Sequence, residues 1–328
     1  MHQKTLRIRV FLIVLFIVFL LAGCSGQEAN AASEAQPAEK RVTTEKSETA
    51  KQDASAGTRK TQHEFLLPEA SGSTVYENDI ISIDASNISE GYIMVRYSGD
   101  ADKIRLQITA PDGTVYNYTM FAGSYETFPL SGGNGAYHLD ILEHAYDNMY
   151  AMAFSQDIEV TLNDEFKPFL YPNQYVWFTK DDAAVSYGEE LSESSSDDLD
   201  YVAQVYHYVI ENISYDKELA ANVSADYLPD IDVTMETGKG ICFDYASLMA
   251  ALLRSQGVPT KLVVGYSGEA YHAWISVYLD EIGWVDNIIE FDGKNWSLVD
   301  PTLAANNEGS AVKKYIGDGS NYTVKYSY

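Results

Sequence analysis

Three residues in the last third of the chain, Cys242, His272 and Asp300, have the types that nucleophilic acyl transfer requires. A thiolate attacks a carbonyl, an imidazole moves the proton, and a carboxylate holds the imidazole in one tautomer. Gly238 and Gly240 lead into Cys242 as a tight entry turn. Phe243, Ala246, Leu248, Met249, Leu252 and Leu253 follow it, before Gly257 and Pro259 stop the apolar run. This pattern predicts a buried helix with Cys242 in its first turn. There the dipole and the free N–H groups are expected to favour the thiolate, lowering a thiol pKa of about 8.5. The same N–H groups are candidate donors to an oxyanion.

The elements that follow have to bring the partners back. Lys261–Tyr266 and Tyr271–Tyr278 read as strands by composition. A helix followed by two antiparallel strands returns His272 to the helix start, as a Cys–His pair requires. Trp296–Thr302 reads as a further strand that carries Asp300, and Asp292-Gly293 is a hairpin signal laying it beside the Gly283–Glu290 run. Asp300 is then placed to accept from the ring N–H of His272. Asp286 is a rival at closer spacing, but it lacks the Pro301-Thr302 that follows Asp300, so Asp300 is preferred.

Singly, each residue has a structural explanation, as a buried thiol or a satisfied strand histidine. In combination, Gly-x-Gly-x-Cys at 238–242, Tyr-His-Ala-Trp at 271–274 and Trp-x-x-x-Asp-Pro-Thr at 296–302 occur in that order. The set resembles the transglutaminase-like superfamily of papain-related cysteine enzymes, over roughly Asp197 to Thr302. The resemblance implies that Cys242 is the nucleophile, His272 the general base and acid, and Asp300 the residue that orients the histidine. It implies an α+β core in which the cysteine-bearing helix packs on an antiparallel sheet, and it suggests Trp274 as a substrate-binding residue lining the cleft. It implies no cofactor. The interval from His272 to Asp300 is longer than the compact arrangement common in the family, and an inserted hairpin at Val285–Asn295 accounts for it. The side chain completing the oxyanion hole stays open among Tyr206, Tyr208 and Tyr215.

Upstream, the period changes to two. Ile104, Leu106 and Ile108 alternate with polar neighbours, as do Tyr137, Leu139 and Ile141, and Ile158, Val160 and Leu162. Pro111–Thr114 and Ser131–Gly135 are turn signals between such runs. Seven or eight short strands at this spacing predict an all-β sandwich over 65–165, followed by the transglutaminase-like domain over 166–328. Asp197, Asp198 and Asp200 precede a helical pattern, where they complement the helix dipole without any metal. Neither zinc nor calcium ligand spacing is legible, and the expectation is no metal.

The N-terminus reads as an export signal. Lys4, Arg7 and Arg9 precede an apolar run from Val10 to Leu21, too short to span a bilayer. Leu21-Ala22-Gly23-Cys24 resembles the bacterial lipobox, which implies cleavage after residue 23 and a lipid on Cys24. Residues 24–64 are poor in apolar side chains and read as a disordered tether. The expected location is the extracytoplasmic face of the cell membrane, with the membrane as a partner through the lipid anchor. A formal charge of −26 excludes a nucleic-acid binder and suits cationic, Lys-rich partners.

The expected activity is acyl transfer on a peptide or amide of a cell-surface protein or peptide substrate. Hydrolysis is preferred over cross-linking to a lysine amine. The reading from a different class is a surface binding or structural protein with a vestigial triad, in which the sandwich does the work. The oligomeric state is not legible.

Overall fold

The alternating runs are strands. The computed structural model describes residues 57–60, 63–267, 269–280, 282–286, 289–291, 296–298 and 322–328. Within 75–160 the strands are β1 (Val75–Glu77), β2 (Ile81–Asp84), β3 (Tyr92–Tyr97), β4 (Ile104–Thr109), β5 (Val115–Met120), β6 (Glu126–Pro129), β7 (Gly135–Tyr146) and β8 (Met149–Val160). They form two antiparallel four-stranded sheets, ordered β1-β2-β3-β6 and β5-β4-β7-β8. The alternation decides what each face does. Leu106, Tyr118, Leu139 and Ile141 turn inward to meet Ile83, Ile93, Val95 and Phe128 of the other sheet. The rings of Tyr118 and Phe128 meet edge-on across that core, with centroids 4.9 Å apart. Arg105, Gln107, Asn117 and Thr119 turn outward. The predicted turn at 111–114 joins β4 to β5, and the Asp112 carboxylate accepts from the Thr114 N–H at 2.9 Å.

The remaining elements are helices on a third sheet. They are α1 (Ala183–Ser194), α2 (Asp198–Asn212), β9 (Ser214–Tyr215), α3 (Lys217–Asn222), α4 (Ile231–Thr237), β10 (Lys239–Gly240), α5 (Cys242–Ser255), β11 (Thr260–Ser267), β12 (Ala270–Leu279), β13 (Gly283–Val285), β14 (Ile289–Phe291), β15 (Trp296–Leu298) and β16 (Tyr322–Ser327). Asp197 caps α2 by accepting from the Asp200 N–H at 2.9 Å, so the acidic cluster serves the helix start. The sheet runs β13-β12-β11-β16 with antiparallel pairing, and α5 packs on β11 and β12. The hairpin anticipated from Asp292-Gly293 is present as β14 paired with β15.

Two arginines fasten these parts. Arg254 of α5 is buried and donates to the carbonyls of Thr260 at 2.8 Å, Tyr171 at 3.0 Å and Tyr328 at 2.6 Å. Burial lowers its pKa to about 9. It ties the start of β11 and the end of β16 to the helix. Arg59 fastens the incoming chain, which engages the helices from Gly57, ahead of Phe65. Its guanidinium pairs with Asp198 at 2.7 Å, donates to the Gln256 carbonyl at 2.8 Å and to Ser192, and lies over the Tyr201 ring at 4.7 Å. Cys24 and the apolar run before it lie outside the described residues. Among the described residues no helix is long and apolar enough to cross a membrane.

Candidate active site

The site is built where α5 begins. Gly238 ends α4 in the left-handed region at φ 61°, which a side chain would resist. The chain then runs as β10 beside β9 in parallel, with Gly240 opposite Tyr215. Gly240 passes so close to the first turn of α5 that an added Cβ would lie 2.7 Å from the Asp244 Cβ. Asp244 clamps this entry: its carboxylate accepts from the Ile241 N–H at 2.7 Å and from the Tyr227 hydroxyl at 2.6 Å. Cys242 emerges as the first residue of α5, half-buried, as the sequence predicted.

The two strands after α5 return the chain to its start. β11 and β12 pair antiparallel, with His272 opposite Gly265. The backbone N–H groups of Ala273, next to His272, and of Phe243 favour the Cys242 thiolate. Cys242 and His272 therefore face one cleft of about 660 Å³. Much of its wall is tyrosine: Tyr175, Tyr215, Tyr227, Tyr271, Tyr326 and Tyr328.

The third member falls differently. Asp300 lies outside the described residues; β15 ends two positions earlier at Leu298. Asp286 is described, and it accepts from the Ser276 hydroxyl at 2.7 Å beside Val285, which pairs with Val277. At roughly 3.3 Å per residue, Ser276 is about 13 Å along β12 from His272, which puts Asp286 at the wrong end of the strand for the imidazole. Meanwhile His272 Nε2 is buried and, among the described residues, has no hydrogen-bond partner. A buried imidazole nitrogen in that state needs an acceptor or donor.

Electrostatics oppose ionisation in the surroundings described. Burial lowers the His272 pKa to about 4. Burial also pushes the Cys242 thiol up, and the Asp244 charge in the same helix turn adds to it. The N–H groups of Ala273, Phe243 and Cys242 itself pull the other way without offsetting burial. Among the described residues desolvation outweighs the depression expected from the helix start, and Asp244 already occupies part of the favourable helix terminus, so a lowered thiol pKa requires a further group beside His272.

Of the three tyrosines left open for the oxyanion, Tyr215 lines the cleft with Cys242. Tyr206 is buried in the core, and the Tyr208 ring packs on Tyr187 at 4.3 Å. Trp274 is 3% exposed and is not among the described residues lining the cleft. It lies one step deeper along β12, its ring 6.2 Å from His272 and 5.3 Å from Tyr322, so it backs the histidine. Arg105 of β4 and Asn117 of β5 also line the cleft, and the sequence carried no local signal for a contribution from these strands. Among the described residues there is no cluster of three or more potential metal ligands.

Residues 185–287, in the helical half, match the family model of the transglutaminase-like superfamily. Three curated proteins are similar to this chain. An uncharacterized protein of Bacillus subtilis, YebA, is 30% identical over 105 residues, covering 26% of this chain and 13% of that protein. The kyphoscoliosis peptidase of Mus musculus is 27% identical over 138 residues, 38% of this chain and 19% of the peptidase. The protein-glutamine gamma-glutamyltransferase of Pseudomonas aeruginosa is 32% identical over 68 residues, 16% of this chain and 10% of the transferase. The matched segment spans less than a fifth of each of these relatives.

Proposed function

We propose that the protein is an acyl-transfer enzyme acting on peptide or amide bonds, with Cys242 as nucleophile, His272 as general base and acid, and Asp300 orienting the imidazole through Nε2. What carries this reading is the convergence of Cys242 and His272 on one cleft. His272 takes the thiol proton as sulfur bonds to the carbonyl carbon. The carbonyl oxygen gains negative charge, which the N–H groups at the start of α5 and the Tyr215 hydroxyl are positioned to receive. The C–N bond breaks as His272 returns the proton to the departing amine, leaving a thioester. Water then attacks, its proton passing to His272; the acid leaves and the thiol is restored.

The peptidase and gamma-glutamyltransferase names of two of the relatives are compatible with this chemistry. Hydrolysis is the outcome we favour; a lysine amine in place of water would give a cross-link. We read the two sheets of 75–160 as a β-sandwich, and Cys24 as the site of a diacylglyceryl anchor on the extracytoplasmic face. Two acyl chains suffice for stable attachment, and Cys24→Ser should then release the protein from membranes.

The test is turnover of casein and of capped glutaminyl peptides, with and without an added amine. Cys242→Ala and His272→Ala should each abolish release of ammonia or peptide fragments. Activity that survives Cys242→Ala unchanged contradicts the proposal.

A further inference from the structure

The whole chain carries a formal charge of −26, yet the described wall of the cleft is close to neutral. Among the described residues that line it, the one formally charged side chain is Arg105, which projects from the outer face of β4. Its guanidinium is already engaged. It pairs with Asp226 at 2.9 Å and donates to the Thr119 hydroxyl, which in turn donates to Asp226 at 2.7 Å. The Tyr150 hydroxyl of β8 is its further partner. Asp226 belongs to the 223–227 loop, whose residues Val223, Ser224, Ala225 and Tyr227 form one wall of the cleft. The next residue, Tyr227, holds the Asp244 clamp at the entry to α5.

Resting on the acyl-transfer reading, we infer that Asp226 is a specificity-determining residue: by pairing with Arg105 it holds the 223–227 wall against the outer face of β4 and keeps the cleft charge-neutral, so that the site selects an uncharged, amide-bearing segment with aromatic or apolar flanks over an anionic one. The neighbouring polar group on the same sheet, Asn117, is also neutral, and its side chain accepts from Gln107 at 2.7 Å. A substrate thus meets tyrosine rings and hydroxyls, backbone N–H groups and a capped guanidinium. Those surfaces suit an amide carbonyl and a flat or apolar side chain, which form no ion pair there. Among the described residues an anionic segment would find no free cation, and its desolvation cost would stay uncompensated there.

The charge of the cleft can be read at Cys242 itself, with no substrate in hand. The full chain is labelled with neutral iodoacetamide and with anionic iodoacetate, and the rate of each at Cys242 is followed by mass spectrometry of the peptide that carries it. In the wild type the ratio of iodoacetate to iodoacetamide rates should match that of an ordinary thiol or fall below it. Asp226→Asn uncovers the Arg105 charge and should raise the ratio by about three-fold or more, the size expected for one uncompensated charge in a partly screened cleft. Arg105→Gln leaves Asp226 uncompensated and should lower it. The double variant should return to the wild-type ratio. Melting temperatures are measured in parallel; if Asp226→Asn proves unstable, Arg105→Gln and the double variant carry the test. A ratio unchanged in folded single variants overturns this inference alone, because Cys242 would still be reactive. A Cys242 that neither reagent reaches in the wild type overturns the acyl-transfer reading along with it.

Discussion

Two groups of histidines in this chain occupy opposite electrostatic situations. On the outer face of the β5-β4-β7-β8 sheet, His138 is exposed and lies 2.6 Å from Asp157 and 3.1 Å from Asp140. His144 lies 3.0 Å from Asp102. Both have raised pKa values, His138 chiefly through its hydrogen bond to Asp157 and His144 through the Asp147 carbonyl and Asp102. In the cleft, His272 is buried without a carboxylate among the described residues, and its pKa falls to about 4. The first group has carboxylates and exposure, with the Ser155 hydroxyl 3.3 Å from His138 Nε2 but no thiol; the second has a thiol and burial but no carboxylate beside it among the described residues. On the acyl-transfer reading an acid would complete the pair, and His272 Nε2, without a partner among the described residues, is where it would bind.

The largest effect expected is on the nucleophile. Cys242→Ala should reduce acyl transfer by about 10⁴-fold or more, to the background of the cleft alone, in a single-turnover assay. Next comes the acid. Asp300→Asn should cost about 10³-fold in kcat, and the His272 pKa, followed by NMR, should fall from its wild-type value towards about 4. In that variant stability should decline as pH drops from the ordinary histidine value towards the lowered one, because the unfolded chain takes up the proton first. Asp286→Asn should leave the His272 titration in place, since Asp286 is engaged with Ser276.

Away from the site the effects are on stability. Arg59→Ala removes a side chain that is 4% exposed and joins Asp198, Ser192, Gln256 and Tyr201. It should lower stability by about 2 kcal/mol, or ~5 °C in Tm, by calorimetry. The smallest effect belongs to the exposed histidine. The His138–Asp157 pair contributes fully below the ordinary histidine pKa and fades as pH rises through the raised one. Exposed as it is, it should be worth under about 1 kcal/mol and shrink further in salt, as an Asp157→Asn comparison of pH-dependent melting would read.

What was legible in the sequence was local. Period-two alternation located β4, β7 and β8, and the apolar run after Cys242 located α5 with its stop at Gly257. The order helix, strand, strand was enough to predict that His272 returns to Cys242. The rest depends on contacts between distant segments, which leave no period behind. The pairing of Tyr215 with Gly240 distinguishes Tyr215 from Tyr206 and Tyr208, yet all three look alike along the chain. Arg59 sits in a stretch with the composition of a tether and is fixed only by α1, α2 and α5 together. The return of β16 to β11 brings Tyr326 and Tyr328 to the cleft from a segment with no motif. The thiol's surroundings follow the same rule: the helix start is visible in sequence, whereas the desolvation by surrounding strands, which pushes the thiol up among the described residues, is not.

The most direct test of the central claim, that Cys242 and His272 form a pair completed by Asp300, is the pH dependence of iodoacetamide labelling at Cys242. It should be measured in the wild type and in the His272→Ala and Asp300→Asn variants, on a chain that retains residues from Gly57 so that Arg59 keeps its contacts. The account predicts a wild-type titration below the ordinary thiol value of about 8.5 that moves above it in both variants, where burial acts unopposed. A wild-type thiol that titrates high, and that neither substitution moves, would contradict it.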